Sequence, residues 1–364
     1  MIPSRLTSGV VWAIAALSTT ACAGDAAPRS GTDEPVPFDV VFAEIRQVEL
    51  RPTSSDPIGE VWSLVRWREN LVVLDPLQTN VKVFDDNGQL RQTIGQAGSG
   101  PGEFRYPYTA AALADGRLAV LDVASMTMSI FRPDGAYERG WLVPVASPGQ
   151  ITPINGGRLL LIPAVRTETR GERTVRHPDR KALHVFDLDG TLVRSYSAVP
   201  TQRQAEGSFF TLMGTAVGWT GVSVPMSRNT VRHVDLQTGR EWEVPVGSTI
   251  YVPPAWPRAR FPDLSGLDEW ATRQMWTKGI VAIDSSHYVV KFVTYPGGKP
   301  LYHYAVAKSD GTTVAVCDPT SWDLHLVENG VGYATRTDEE GNVTVAMLRI
   351  QLPGAAVPRR RGQR

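Results

Sequence analysis

Cysteine is nearly missing from this chain, and so is any excess of charge. Cys22 and Cys317 are the two cysteines. If Cys22 is acylated or removed, Cys317 has no partner and no disulfide can form. Cys317 follows the strand-like run Thr313-Val314-Ala315-Val316, so it reads as a buried, inert thiol. Lys and Arg total 37, matched by 37 Asp and Glu, so no global field draws in nucleic acid or an acidic substrate. The uninterrupted apolar stretch VVWAIAAL at residues 10–17 is too short to span a bilayer. No His-Glu-x-x-His or Gly-x-Ser-x-Gly phrase occurs, so zinc-protease and hydrolase-elbow chemistry lack their signatures. Nothing in the chain marks a cofactor.

What is present at the N-terminus is an export signal. Arg5 supplies the positive charge and residues 10–17 the apolar core. Ala21-Cys22-Ala23 offers an A-x-A-like cleavage site, whereas Thr19-Thr20-Ala21-Cys22 resembles a bacterial lipobox with Thr19 where Leu is usual. The lipobox reading is preferred, with Cys22 as the lipidated residue, because residues 23–37 (AGDAAPRSGTDEPVP) have the composition of a tether. The expected organisation is a signal peptide at 1–22, a disordered tether at 23–37, a folded body at 38–352 and a disordered basic tail at 353–364. The four arginines of that tail read as a solvated end. Without an aromatic and basic platform elsewhere, nucleic acid is not an expected partner.

The folded body carries a recurring phrase. Val81-Lys82-Val83-Phe84-Asp85-Asp86-Asn87-Gly88 returns as Met128-Ser129-Ile130-Phe131-Arg132-Pro133-Asp134-Gly135 and as Leu183-His184-Val185-Phe186-Asp187-Leu188-Asp189-Gly190. Looser copies end at Gly239 and Gly311. Each is a β-rich run closed by a tight-turn pair. The glycines Gly88, Gly135, Gly190 and Gly239 are 47, 55 and 49 residues apart, and Gly311 follows after 72. A period near 50 built from strands predicts propeller blades. The fold expected is an all-β, six-bladed propeller of four-stranded antiparallel blades. The first two blades span 60–94 and 108–142; the next three span 150–198, 209–246 and 276–318. The sixth offers three strands between 323 and 352, and residues 40–50 are available to add the fourth and close the ring. Residues 163–181 read as a solvated hairpin extension. Residues 251–275, rich in tryptophan, proline and arginine, read as an excursion on the binding face, with a short helix over 264–275.

The segment Ile94-Gly95-Gln96-Ala97-Gly98-Ser99-Gly100-Pro101-Gly102-Glu103-Phe104-Arg105-Tyr106-Pro107 resembles the inter-blade linker of NHL-type six-bladed β-propellers. The likeness runs over residues 58–141 and implies the fold but no particular function, since such propellers host binding, signalling and enzymatic roles. A phosphate-loop reading of the same glycines fails, because Glu103 stands where a Walker loop needs Lys.

Two functional readings follow. In the first, the protein is a non-enzymatic, envelope-tethered propeller that binds a small molecule, glycan or peptide, or an envelope protein. Its surface would comprise Arg105, Tyr108, Trp256, Arg258, Trp270, Arg273 and Trp276, with aromatics supplying apolar area and arginines orienting acidic groups. In the alternative, a metal-dependent lactonase, esterase or lyase acts at the central channel through Glu60, Asp323 and His325. Hard cations want several oxygen ligands and catalytic zinc about three protein ligands, so three groups on two blades make a poor cage. His184, His233 and His303 share the third-strand column with Lys82 and Ser129; repeat equivalence explains them better than a converging triad.

Overall fold

In the computed structural model, the described residues are 34–146, 149–162, 165–170, 173–176, 181–198, 212–225, 228–255 and 269–352. A short helical turn, α1 (Phe38–Val41), leads into β1 (Phe42–Glu49). The first blade follows as β2 (Ser63–Trp67), β3 (Asn70–Asp75), β4 (Asn80–Phe84) and β5 (Leu90–Ile94). The second is β6 (Pro107–Ala112), β7 (Leu118–Asp122), β8 (Thr127–Phe131) and β9 (Tyr137–Leu142).

The third blade is interrupted. It consists of β11 (Gln150–Ile154), β12 (Arg158–Ile162), β15 (Lys181–Asp187) and β16 (Leu192–Ala198). Between its second and third strands, β13 (Val165–Arg170) and β14 (Arg173–Arg176) form a hairpin that pairs with β10 (Val145–Ala146). The expected hairpin extension is therefore present. The fourth blade is β17 (Leu212–Val217), β18 (Thr220–Pro225), β19 (Thr230–Asp235) and β20 (Glu241–Pro245). The fifth is β21 (Trp276–Ala282), β22 (His287–Thr294), β23 (Leu301–Lys308) and β24 (Thr313–Thr320). The sixth takes β25 (Asp323–Glu328), β26 (Val331–Thr337) and β27 (Val343–Ile350), and β1 pairs antiparallel along β27 as its outer strand. The ring is closed by the N-terminal strand.

The core is a set of seams between blades. Six buried apolar clusters lie among the described residues, and each joins two neighbouring blades. Phe104, Val83 and Leu74 meet Val120 and Phe131 between the first and second blades, for example. Second and third strands are covered on both faces: every residue of β4 and of β7 is buried, Lys82 included.

The turns repeat one device. Asp85, Asp134, Asp189, Asp235, Asp310 and Asp338 each accept backbone N–H bonds from residues two to four positions on. The linker glycines also have a structural reason. Gly95 takes φ 75°, and a Cβ there would lie 2.3 Å from the ring of Phe104. The Glu103 carboxylate accepts from the amides of Ser99 (3.0 Å) and Gly100 (2.8 Å). The donors that a phosphate would need are thus taken by the chain's own acid.

Candidate functional site

A cavity of about 400 Å³ opens where the inner strands begin. It continues into a channel of about 280 Å³ lined by inner-strand residues of all six blades, and Ser63, Thr109, Gln150 and His325 line both. A volume of this size suits a small molecule.

Three of the inner strands carry a β-bulge at this mouth. In β6 the register slips between Pro107 and Thr109, in β21 between Thr277 and Gly279, and in β25 between Leu324 and Leu326. The extra residues are Tyr108, Lys278 and His325, and all three line the cavity. A bulge adds a residue without a partner and re-aims its side chain. The same irregularity at one depth in blades two, five and six therefore marks the mouth as a built feature.

Two buried aspartates fix the chain as it enters this region. Asp75, at the end of β3, accepts from the amides of Gly59 (2.7 Å) and Glu60 (3.1 Å) before β2, and from Gln78 (3.1 Å). Asp122, at the equivalent end of β7, accepts from Arg105, Tyr106 (2.9 Å), Ala124 (2.9 Å) and Ser125 (2.8 Å). Each carboxylate thus holds the approach to the inner strand against the turn after the second strand. Trp62, Tyr106 and Tyr108 then form one aromatic wall, with the rings of Trp62 and Tyr108 5.0 Å apart. Trp276 and Tyr295 line the cavity from the fifth blade.

Charge is concentrated where the fifth and sixth blades meet. Lys291, on β22, donates to Asp323 Oδ1 and, at 2.9 Å, to the Leu324 carbonyl. Lys278 Nζ lies 3.5 Å from Asp323 Oδ2 and 3.5 Å from the Tyr302 hydroxyl. Burial pushes the Asp323 carboxyl up, but the charges of Lys291, His325 and Lys278 outweigh it and hold the group well below the usual carboxylate range. Burial lowers Lys291. His325 is pushed down to about 4, chiefly by burial, and its Nε2 is 2.7 Å from Thr335 Oγ1. The group thus sets two lysine amines on one carboxylate, beside an imidazole that is neutral at pH 7.

Of the residues expected at a binding surface, Tyr108 and Trp276 line the cavity. Trp270 stands behind Trp276, edge-on at 5.6 Å between ring centres, on a helical turn at 269–272. Its indole donates to the Ala255 carbonyl at 3.0 Å, and that of Trp276 donates to Ala271 at 2.7 Å. Arg273 is exposed and paired with Glu269, and Arg105 is exposed; neither belongs to the cavity lining. Trp256, Arg258 and Cys22 lie outside the described residues. Glu60, Asp323 and His325 all line the cavity, yet both oxygens of Asp323 face lysines. Among the described residues no group of three or more His, Cys, Asp or Glu could hold a metal ion.

The third-strand column does not converge. Lys82 is buried and bonded to Asp56 and Asn80. His184 Nδ1 is 2.9 Å from Ser195 Oγ, His303 Nε2 is 3.1 Å from Thr294 Oγ1, and His233 stacks on Trp242 with its Nε2 3.0 Å from the Tyr288 hydroxyl. Lys278 and Lys291 were missed by sequence reasoning. The signal was Lys291 itself, a lysine set in Tyr288-Val289-Val290 and Phe292-Val293, where both strand faces are apolar and a charge must find a partner.

Comparison with known proteins agrees on the fold. Residues 29–127 match the family DUF5128, described as a 6-bladed beta-propeller. No curated protein matches the sequence. Among solved structures, the chain is similar to a protein of Bacteroides fragilis NCTC 9343 described as exported, with 14% identity, 87% of this chain and 98% of that one covered, and a TM-score of 0.57. It is also similar to a member of the DUF4221 family from Bacteroides vulgatus, with 11% identity, 85% and 98% coverage and a TM-score of 0.55. Virginiamycin B lyase from Staphylococcus aureus superposes at 10% identity over 82% of this chain and 87% of that one, with a TM-score of 0.47, too low to bear on function. The first two similarities show the fold alone. No helix among the described residues is long and apolar enough to cross a membrane.

Proposed function

We propose that this protein is a non-enzymatic binding propeller of the cell envelope that takes up a small molecule in the cavity at its channel mouth. The observation that carries this reading is the set of three bulges that turn Tyr108, Lys278 and His325 toward one cavity. Bulges interrupt a ladder and persist next to functional sites. The aromatic wall of Trp62 and Tyr108 supplies the apolar area such sites use, and the charged group in the same lining supplies orientation.

Export and anchoring belong to the same proposal. One or two lipid chains on Cys22 would hold the ring at a membrane surface; the expected tether at 23–37 is shortened by the bridge of Val36 to Cys317, and residues 23–35 would give a reach of about 20 Å as a flexible segment. A Cys22→Ala variant should leave the detergent phase, and native protein found free with Gly24 as its first residue would refute the anchor.

Binding is tested by thermal-shift screening of a small-molecule panel on wild type and on Trp62→Ala and Tyr108→Ala variants. Both variants should keep the far-ultraviolet spectrum of the wild type. Each should weaken ligand-induced shifts by about tenfold or more in concentration, as expected for loss of an aromatic anchor. Shifts that survive both substitutions would place binding elsewhere.

A further inference from the structure

We infer that the cavity selects a small organic monoanion, whose carboxylate is received by Lys278. This inference rests on the binding reading above and adds the chemical class of the ligand. Two ammonium groups share one carboxylate at the wall between the fifth and sixth blades, one facing each oxygen. The two lysines are not equivalent. Lys291 is buried, with 8% of its side chain exposed, and is satisfied by Asp323 and the Leu324 carbonyl. Lys278 is 35% exposed, and both of its polar neighbours stand at 3.5 Å. The carboxylate is therefore spent mainly on Lys291, and the excess positive charge resides on the cation at the cavity surface.

The rest of the lining restricts what can answer that charge. His325 is neutral at pH 7 and adds no second positive charge. The lysines lie over the face of Tyr302, at 5.3 Å for Lys278 and 5.7 Å for Lys291, which disperses their charge on an aromatic surface. Glu60 lines the same cavity from the first blade, and the Tyr106 hydroxyl is raised first by burial and then by the charge of Glu60. A second acid group on the ligand would be repelled there, so a monoanion is favoured over a dianion. Trp62, Tyr108, Trp276 and Tyr295 cover the body of the ligand. Lys278 is also the bulged residue of β21, so its placement is not a by-product of regular pairing.

The test uses the purified full chain and matched probes: indole-3-acetate, 3-phenylpropionate and hexanoate, each beside its primary amide. Calorimetry at low and high ionic strength should show at least one acid binding, its amide weaker by about tenfold or more, and the preference reduced by salt. Lys278→Met should abolish the preference, and Lys278→Arg should retain it. Melting temperatures close to wild type would show that Lys291 still holds Asp323 in both variants. Amides binding as well as acids, or acids binding Lys278→Met unchanged, would overturn the inference. If neutral panel members bind in a manner lost on Tyr108→Ala while no acid does, the binding reading stands and the anion inference falls. If nothing in either set binds, both fall. An acetylated tripeptide with a free C-terminus that binds far more tightly than all three acids would also overturn it, by assigning the site to a chain end.

Discussion

His233 shows how a single residue carries a cost that depends on pH. It is wholly buried between Trp242 and Tyr288, and burial lowers it from 6.5 to about 4. The unfolded chain therefore takes up a proton as pH falls through 6.5, while the folded chain does so only near 4. Stability is fully present above pH 6.5 and is lost progressively between the two values. The loss amounts to about 3 kcal/mol at most. His325 shifts in the same direction and acts in the same window. Melting temperature should fall from pH 7 to pH 4.5, and His233→Gln, which does not titrate there, should flatten the fall. Parallel curves for the two proteins would reject the assignment. At this scale the sequence was partly legible. Glu60, Tyr108, Trp276, Asp323 and His325 could be picked because chemistry-bearing side chains at the starts of inner strands stand out. Lys278 could not, because a regular strand would give it a paired place in the ladder and only the bulge makes it the extra residue.

At the scale of strands and turns, Asp122 links three pieces of chain. Its carboxylate holds the entry to β6 and the turn after β7 through four backbone amides. Asp122→Ala would leave those four half-buried or exposed amides without their acceptor, at a cost of about 1–3 kcal/mol. It should also loosen the Tyr106–Tyr108 wall, so ligand affinity should drop together with stability. Urea denaturation and calorimetry on the variant measure the two effects, and an unchanged midpoint would show that the amides find other acceptors. Asp75 should behave alike, since it does the same for Gly59 and Glu60. These aspartates explain a discrepancy in strand limits. Periodicity placed the start of the first inner strand at residue 60, but the Gly59 and Glu60 amides turn to Asp75, and β2 begins at Ser63. Turn pairs and alternating apolar runs made the other strands of the first two blades readable within a few residues. Bulges were not readable, because one inserted residue leaves the composition of a strand unchanged.

For the whole molecule, the decisive element is the closing strand β1. A propeller whose sixth blade ended at β27 would present a free strand edge, and β1 covers it over its full length. The joint reaches further than one sheet. Val36 bridges to Cys317 on the fifth blade, with Val36 N donating to Val316 O at 2.9 Å and Asp318 N to Val36 O at 2.8 Å. Phe38 and Phe42 stack at 4.8 Å and lean on Tyr304 of that blade. Val41 and Phe42 are buried in the seam between the fifth and sixth blades, and Leu50 in the seam between the sixth and first. One segment therefore contributes to two of the six seams. Burying each such side chain is worth about 1.5–3 kcal/mol, so three of them are comparable to a typical total stability of about 5–15 kcal/mol. Phe42→Ala alone should cost about 3–5 kcal/mol, through lost burial and the cavity left behind. Removing residues up to 50 should go further and expose the β27 edge, giving a protein that melts early and self-associates. Denaturant melts and light scattering on the full chain, the Phe42→Ala variant and the truncated chain separate these effects. A truncated chain that stays monomeric and melts with the wild type would mean that the six seams hold the ring without its closing strand.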